Sequence, residues 1–589
     1  MTYAAPVAHM RFVLEHTAGL DCIRALPAFA EVTPDVVDAV LEGAARFATE
    51  VLAPLNAVGD RIGSSVTPNG VTTPPGFREA YRRFVADGWN SLGGPPDYGG
   101  QGMPFALHAA TVEIWGAANM AFALCPELGS GAIAALTQHA TPALRARFLP
   151  KLVSGEWAGT MCLTEPQAGS DLSTVTTRAE PAGEGWRLRG RKIYITWGEH
   201  DLTDNIVHLV LARAPNAPSG VKGLSLFVAP RYRVLADGRC GEANDIRCVS
   251  VEHKMGIHAS PTCVLALGDG PGAEAFLVGG LHQGLPGMFT MMNHMRLGVG
   301  EQALGVAEHA YQIAVQHARE RLQGRDADGK PTVILAHADV RRMLLTMKSL
   351  VQAGRGLTYA AAVALDVAHH AQGAPAAAAQ ARADLLTPVV KAWCSDLAIE
   401  VTSLAVQVLG GMGFTEDAGA AQCYRDVRIT SIYEGTNGIQ AQDLLGRKVL
   451  RDDGRALATF IAEMRQTVAT LPAGDPRIET LRRGLGAAID RAEAATRSLL
   501  EGVRGDADLV GATSVHYLQL IGYVCGGWQW ARSVIAAHGP GAALGSRQTG
   551  AVLDCAAFYA SQILPRALMH AAVIDSGVGV IVATDAELL

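Results

Sequence analysis

Three stretches of this 589-residue chain combine residue types that could do chemistry. The first is Cys162-Leu163-Thr164-Glu165-Pro166-Gln167-Ala168-Gly169-Ser170-Asp171. Its Pro and Gly make an irregular loop, and free backbone N–H groups with two hydroxyls could hold a polar ring edge or a phosphate. Without a ligand it reads as an interdomain turn capped by Ser170 or Asp171. The second is Lys192-Ile193-Tyr194-Ile195-Thr196-Trp197-Gly198. On a strand Tyr194 and Thr196 share a face, which suits an aromatic cofactor, one side chain packing and the other hydrogen-bonding; the end of a core strand is the plainer reading. The third runs from Tyr424-Arg425-Asp426 to Ile432-Tyr433-Glu434-Gly435-Thr436-Asn437-Gly438. Here Glu434 stands just before a helix whose N-cap is Thr436 or Asn437. An apolar setting would raise its pKa and fit it for use as a base, whereas an exposed loop would leave it ordinary.

Other chemistries find no support. The chain has no H-E-x-x-H, G-x-S-x-G or Walker motif. Gly129 to Ala134 satisfies G-x-G-x-x-A, but no strand run enters it and no βαβ unit surrounds it, so it reads as a tight turn or helix start. Ten cysteines are scattered singly without a C-x-x-C pair. That suits a reducing cytosol, with no disulfide framework and no metal site.

Composition narrows the class further. Apolar residues make up 49% and charged residues 18%, which is globular, and the length predicts about four compact units at roughly 150 residues each. A net charge of −7 without a basic block argues against nucleic acid or an anionic membrane as the main partner. The first residues lack a long apolar core, so no secretory signal is expected, and the predicted location is cytoplasmic. Mean hydropathy is +0.17, and Leu509 to Ala531 carries no formal charge. That stretch contains His516, Gln519, Gln529 and several glycines, costly in hydrocarbon, so it predicts a buried bundle helix and no membrane span.

The elements that position the three motifs change character twice. Residues 1–160 read as helices: apolar residues at helical spacing from Val36 to Leu52, stopped by Pro54, then Arg78 to Ala86 and Ala143 to Val153. Residues 161–282 carry short β-branched runs with connections too brief for βαβ crossovers, predicting an antiparallel barrel or sandwich. Residues 283–450 return to alanine-rich helices of a bundle, with a loop at the QGAPAAAA run from Gln372 to Ala379. Residues 451–589 add a further helical domain, broken at Leu471 to Pro476. The fold class is mainly α with a β middle domain.

In combination, these motifs resemble the acyl-CoA dehydrogenase family over about residues 35–450. The first loop is similar to one family signature, with Thr174 where a smaller residue is usual. Gln407-Val408-Leu409-Gly410-Gly411-Met412-Gly413-Phe414 resembles the start of a second, with Gln422 where a basic residue is expected. The chain is most similar to the long bacterial branch of 3-methylmercaptopropionyl-CoA dehydrogenase-like members, through RFVLEH, Ile195 to Arg213 and the added helices. Members of that branch also act on fatty acyl-CoAs.

The resemblance implies FAD-dependent α,β-dehydrogenation of an acyl-CoA to the trans-2-enoyl-CoA. Glu434 would take the α-proton while a hydride passes to flavin N5, the enolate oxygen being held by the flavin ribityl 2′-OH and the backbone N–H of the base. Some members carry the base just before a helix arginine; here that arginine is Arg296 and the residue before it Met295, which cannot take a proton. Gly435 would admit the acyl chain, and Asn293 and Arg296 would support base and substrate. Met161, Leu163, Thr164, Gly169 and Ser170 would line the flavin, Ser170 reaching the pyrophosphate or CoA. Tyr194 would pack on the isoalloxazine where Trp is usual, beside Ile195, and Thr196 would bond near N5. Trp197 replaces a commoner Asn. Arg321 and Gln323 would grip the FAD diphosphate of a neighbouring subunit. Gln407, Gly410, Gly411, Thr436 and Asn437 would complete the cofactor site. The implied partners are electron-transfer flavoprotein and a second copy of the chain, a dimer ahead of a tetramer.

Two rival readings follow. One is an oxidase of the same fold that passes electrons to O₂; the ending Glu587-Leu588-Leu589 is no peroxisomal tripeptide, which favours the dehydrogenase. The other is a DNA-associated member with a basic added domain. Residues 451–589 hold 12 Arg, no Lys and 14 acids, a net −2, which gives phosphates nothing to bind.

Overall fold

A computed structural model describes residues 3–68, 70–502, 508–539 and 544–588; Leu589 lies outside them. Helix α1 (Pro34–Phe47) starts at Thr33, whose hydroxyl accepts the Val36 N–H, and buries Val37, Leu41 and Ala44 along one face. Pro54 does not stop it. The chain passes through a widened π turn at Ala48–Leu52 into α2 (Ala53–Ile62), with Pro54 in the first turn of that segment. Helix α3 (Phe105–His139) is buried along most of its length and kinks at Asn119, whose side chain accepts the Phe122 N–H. The Gly129 to Ala134 stretch lies inside α3, at neither a turn nor a helix start. Its glycine serves packing: a Cβ on Gly131 would stand 3.1 Å from Met291.

The middle strands are β1 (Trp157–Cys162), β2 (Arg178–Ala182), β3 (Gly185–Thr196), β4 (Asn205–Arg213), β5 (Leu224–Pro230), β6 (Ile246–Val251), β7 (Thr262–Leu267) and β8 (Ala273–Val278). Their order is β6-β7-β3-β8-β5-β4-β1, with β2 against β3 and β4. The sheet is not wholly antiparallel. β1 runs parallel to β4 from Trp157↔Asn205 to Cys162↔Val210, and β2 touches β4 in parallel at Arg178↔Arg213. The crossover that this pairing needs is the first motif loop, with a single 3₁₀ turn at Leu172–Thr174, plus the β2–β3 hairpin, and no α-helix. That return path hangs the loop on the sheet edge beside α3.

Helices α4 (Gly284–Glu320) and α5 (Ala338–His370) pack on α3, and α6 (Gly373–Leu409) packs on α4 and α5. The expected loop at QGAPAAAA shrinks to Ala371 and Gln372. Alanine is the strongest helix former, and Pro375 is tolerated in the first turn, so α6 begins at Gly373. The short α7 (Asn437–Gln442) leads to the added helices α8 (Arg455–Ala469), α9 (Pro476–Gly502), α10 (Asp508–His538), α11 (Ser546–Phe558) and α12 (Pro565–Asp575). The uncharged stretch from Leu509 lies in α10, which buries Tyr517, Leu518, Val524 and Trp528. By length and composition alone, α3 and the stretch Gly373–Phe414 could cross a membrane; most of the apolar part of α3 is packed inside the protein.

One buried ionic knot ties the bundle. Arg355 on α5 donates to Glu113 on α3 through Nε at 2.8 Å and Nη2 at 2.6 Å, and to Glu308 on α4 at 2.8 Å. Tyr359 adds a hydroxyl to Glu113 at 2.7 Å. Arg355→Met removes the only cation in this set of contacts and leaves two carboxylates facing each other. The expected loss is about 3–5 kcal/mol in denaturant unfolding, partly recovered in R355M/E113Q.

Candidate active site

Glu434 and Gly435 take consecutive left-handed conformations, φ +57° and +88°. That region is costly for a glutamate and persists only where neighbours enforce it. Here the Glu434 carbonyl accepts from Arg296 Nε at 3.4 Å and Gln440 Nε2 at 3.3 Å. The turn puts the carboxyl in a cleft lined by Leu124, Leu128, Thr196, Met295, Val299, Gln302 and Tyr433. Oε2 of Glu434 is buried there without a hydrogen-bond partner. Burial pushes its pKa up to about 7, against the opposing pull of Arg296 and Lys391. The Tyr433 hydroxyl, next in sequence, donates to Gln302 at 2.5 Å.

Arg296 and Asn293 stand where support was expected, joined at 3.1 Å, with Arg296 also 3.7 Å from Asp443. Arg296 holds the carbonyl of Glu434, so its hydrogen bond fixes the backbone. Gly435 has a local reason to be small. Its φ lies in the left-handed region, and a Cβ there would crowd Gln440 Nε2 at 2.8 Å.

The first motif loop is anchored by a buried ion pair that sequence reasoning missed. Lys192 Nζ donates to the Leu163 carbonyl at 2.8 Å and to Glu165 at 2.9 Å. Glu165 also accepts the N–H and hydroxyl of both Thr176 and Thr177. Burial alone would raise the Glu165 pKa, but Lys192 and these donors pull it down to about 2. The turn is capped by Asp171, which accepts the Ser173 N–H at 2.8 Å, and not by Ser170. Thr174 closes the same loop, its hydroxyl donating to Gln167 at 2.9 Å, which gives the larger residue a structural task. Gly169 and Ser170 are exposed, while Met161 and Thr164 are half-buried. Leu163 packs into the core, with its carbonyl facing Lys192.

The strand motif differs from regular alternation. A bulge between β3 and β7 and a φ of +58° turn Tyr194 to the surface, 61% exposed, while Thr196 lines the Glu434 cleft. The Ile195 side chain is buried in the sheet core, which leaves its backbone alone to meet a cofactor. Trp197 is fully buried and donates to the Ala121 carbonyl at 3.1 Å, so it anchors β3 to α3.

Arg321 and Gln323 lie exposed beyond the end of α4. Arg321 is 25 residues from Arg296, about 37 Å of helix, so it cannot reach the cleft of its own chain. Gln407, Gly410 and Gly411 sit exposed at the end of α6, where a Cβ on either glycine would meet nothing within 4 Å. Thr436 caps α7 by accepting the Ile439 N–H at 3.3 Å. The Asn437 side chain is committed to α6, where Lys391, Ser395, Ala392 and Asp396 occupy both ends of its amide. Gln422 replaces the expected basic residue with neutral bonds to Asn56 and Asp426, and Arg425 supplies the ion pair to Asp60 at 3.0 Å. The apolar wall was also missed, although Leu124/Leu128 and Met295/Val299 repeat at i, i+4 on two helices.

Comparison with known proteins decides the class. The acyl-CoA dehydrogenase N-terminal domain matches residues 35–156, the middle domain 160–269, the C-terminal domain 282–449, and an acetyl-CoA dehydrogenase C-terminal-like domain 460–585. The chain belongs to the acyl-CoA dehydrogenase family. It is 44% identical, over 98% of its length and 99% of the other's, to 3-methylmercaptopropionyl-CoA dehydrogenase of Ruegeria pomeroyi. It is 34% identical, over 96% of both chains, to the broad-specificity linear acyl-CoA dehydrogenase FadE5 of Mycobacterium tuberculosis. An acyl-CoA dehydrogenase from Bacillus anthracis solved with FAD has the same fold, with a TM-score of 0.75 over 95% of this chain and 90% of that one at 19% identity. This acyl-CoA dehydrogenase is therefore an oxidoreductase that acts on acyl-CoA with FAD. Its residues fit the flavin: an exposed Tyr194 ring, open backbone at Gly169, Gly410 and Gly411, and an orphaned carboxyl oxygen facing the cleft.

Lys192→Met strands Glu165 beneath the loop without its cation. FAD dissociation, followed by flavin fluorescence, is expected to rise at least tenfold, and E165Q in the same background should restore part of the affinity.

Proposed function

We propose that this enzyme removes the α-proton of an acyl-CoA thioester with Glu434, yielding the trans-2-enoyl-CoA. The observation that carries this reading is the buried Oε2 of Glu434, unpaired and facing an apolar cleft, on a carboxyl whose pKa is pushed up to about 7. A base that ionises near neutrality combines a usable deprotonated fraction with a strong pull on a weakly acidic C–H. Bound FAD supplies the acceptor for the β-hydride, and electron-transfer flavoprotein takes the electrons onward. Met161, Thr164, Gly169, Ser170, Tyr194 and Thr196 would hold that cofactor from one chain; Arg321 and Gln323 would come from the second copy of a dimer, since their own cleft lies beyond their reach. Leu124, Leu128, Met295 and Val299 exclude water from the acyl chain and keep Glu434 desolvated.

The wall of the cleft suits an unbranched apolar or thioether chain. The R. pomeroyi relative supports 3-methylmercaptopropionyl-CoA, and the M. tuberculosis relative supports linear fatty acyl-CoAs. The test is a panel of acyl-CoAs scored by bleaching of the flavin band, with a dye acceptor under argon and peroxide measured in air. Turnover with the dye and little peroxide is expected; rapid peroxide formation would overturn the dehydrogenase assignment of the acceptor.

Glu434→Gln should keep the flavin and lose turnover by several orders of magnitude, because an amide cannot accept the proton. In the wild type, kcat/KM should rise with pH through about 7 and level above it. The sign follows from burial raising the pKa, so the active carboxylate forms only as pH climbs past that value.

A further inference from the structure

The added helical domain reaches the catalytic turn through an unbroken line of polar contacts. Gln519 on α10 donates to Asp396 Oδ2 at 2.6 Å. Asp396 Oδ1 accepts Asn437 Nδ2 at 2.7 Å. The other end of that amide, Asn437 Oδ1, accepts Lys391 Nζ at 2.9 Å. Lys391 is fully buried, and its charge acts on Glu434. Asn437 itself lies three residues after Glu434, at the start of α7. Two of the four members therefore come from α6, one from the catalytic segment and one from the domain beyond residue 451.

We propose that Gln519 is a positioning residue through which the added domain orients Asn437 and keeps the Lys391 ammonium beside Glu434. This inference rests on Glu434 being the base.

Three features support the assignment over a chance surface contact. First, the direction of every bond is determined. Asp396 is an acceptor only, which forces Gln519 and Asn437 to present N–H groups; Asn437 must then turn its oxygen to Lys391. Second, the contact is built on a close helix crossing. Cβ atoms on Gly522 and Gly526 of α10 would stand 2.4 Å and 2.7 Å from the Trp393 indole of α6, so both positions admit that ring. Arg566 on α12 also grips Glu400 of α6 with two bonds, at 2.6 and 2.8 Å. These contacts hold α10 and α12 rigidly on the segment of α6 that carries Lys391 and Asp396. Third, a buried ammonium needs its partners. Burial pulls the Lys391 pKa down to about 7, against the charges of Glu434 and Asp396.

The charges that act on Glu434 are those of Arg296 on α4 and Lys391 on α6, and Arg296 is also bonded to its backbone carbonyl. Removing the Gln519 N–H leaves one Asp396 oxygen without its donor and draws Asn437 toward it, against the hold of Ala392 and Ser395 on the same amide. The Asn437 oxygen then leaves Lys391. With the cation less well held, the Glu434 carboxylate is less stabilised and its pKa moves up.

The test uses full-length holoenzyme carrying Gln519→Leu. The expected result is a protein that binds FAD normally, with kcat lowered about tenfold and the acid limb of kcat/KM displaced upward by at least half a pH unit. A fall in kcat with KM little changed is expected, because the substrate wall is untouched. The double variant D396N/Q519E reverses donor and acceptor across the 396–519 contact while keeping an acceptor for Asn437, and should return the acid limb toward its wild-type position. A Q519L enzyme with wild-type kcat and an unmoved acid limb overturns the proposal. So does a lowered kcat at an unmoved acid limb, since that is what mere loosening of the domain would give. Should Q519L fail to hold FAD, K391M decides: the limb must rise there too, and an unmoved limb overturns the proposal. E434Q run on the same substrates separates the two claims, because retained turnover in that variant refutes the base assignment whatever Gln519 does.

Discussion

The structure turns on a carboxyl group kept out of water without a hydrogen bond for one of its oxygens. A buried, unpaired oxygen of this kind costs free energy, and it survives only because the rest of the molecule leaves it no alternative. Glu434 cannot rotate into solvent while its backbone is held in the left-handed region by Arg296 and Gln440. Leu124, Leu128, Met295 and Val299 in the wall beside it offer no donor. The two cations near it act at a distance, which moderates its pKa without neutralising it for good.

Around that point the fold spends its buried charges as clamps. Lys192 and Glu165 pin the first motif loop to β3, and Arg355 with Glu113 and Glu308 locks α5 to α3 and α4, the two helices that line the cleft. Each clamp is fully hydrogen-bonded, the condition under which buried charge can be tolerated. Glu434 contrasts with these two clamps, since one oxygen of the proposed base is left without a donor.

Much of this was legible along the chain. Helical spacing, short β-branched runs and the three motifs predicted the layout of helices around a β middle domain, and the segment from Tyr433 to Thr436 marked the proposed base. The errors have local causes. Pro54 and the alanine run after Gln372 were read from propensity, while a π turn and a helix start absorbed both prolines. Alternation predicted one face for Tyr194 and Thr196, but a bulge intervened. A parallel β1–β4 pair escaped notice because its crossover contains no α-helix. The partners of the Asn437 side chain are on a helix some 40 residues earlier, which its neighbours in sequence do not show.

What residue order settles by itself is the inventory: which groups can take a proton, which loops must be irregular, and which segments bury one face. These depend on chemistry and period, both local. The tertiary structure alone decided which carboxylates would be paired and which left unpaired, because desolvation and charge depend on what packs from elsewhere. Glu165 and Glu434 are both loop glutamates in the sequence. Folding lays Lys192 against one and an apolar wall against the other, and their pKa values separate to about 2 and about 7.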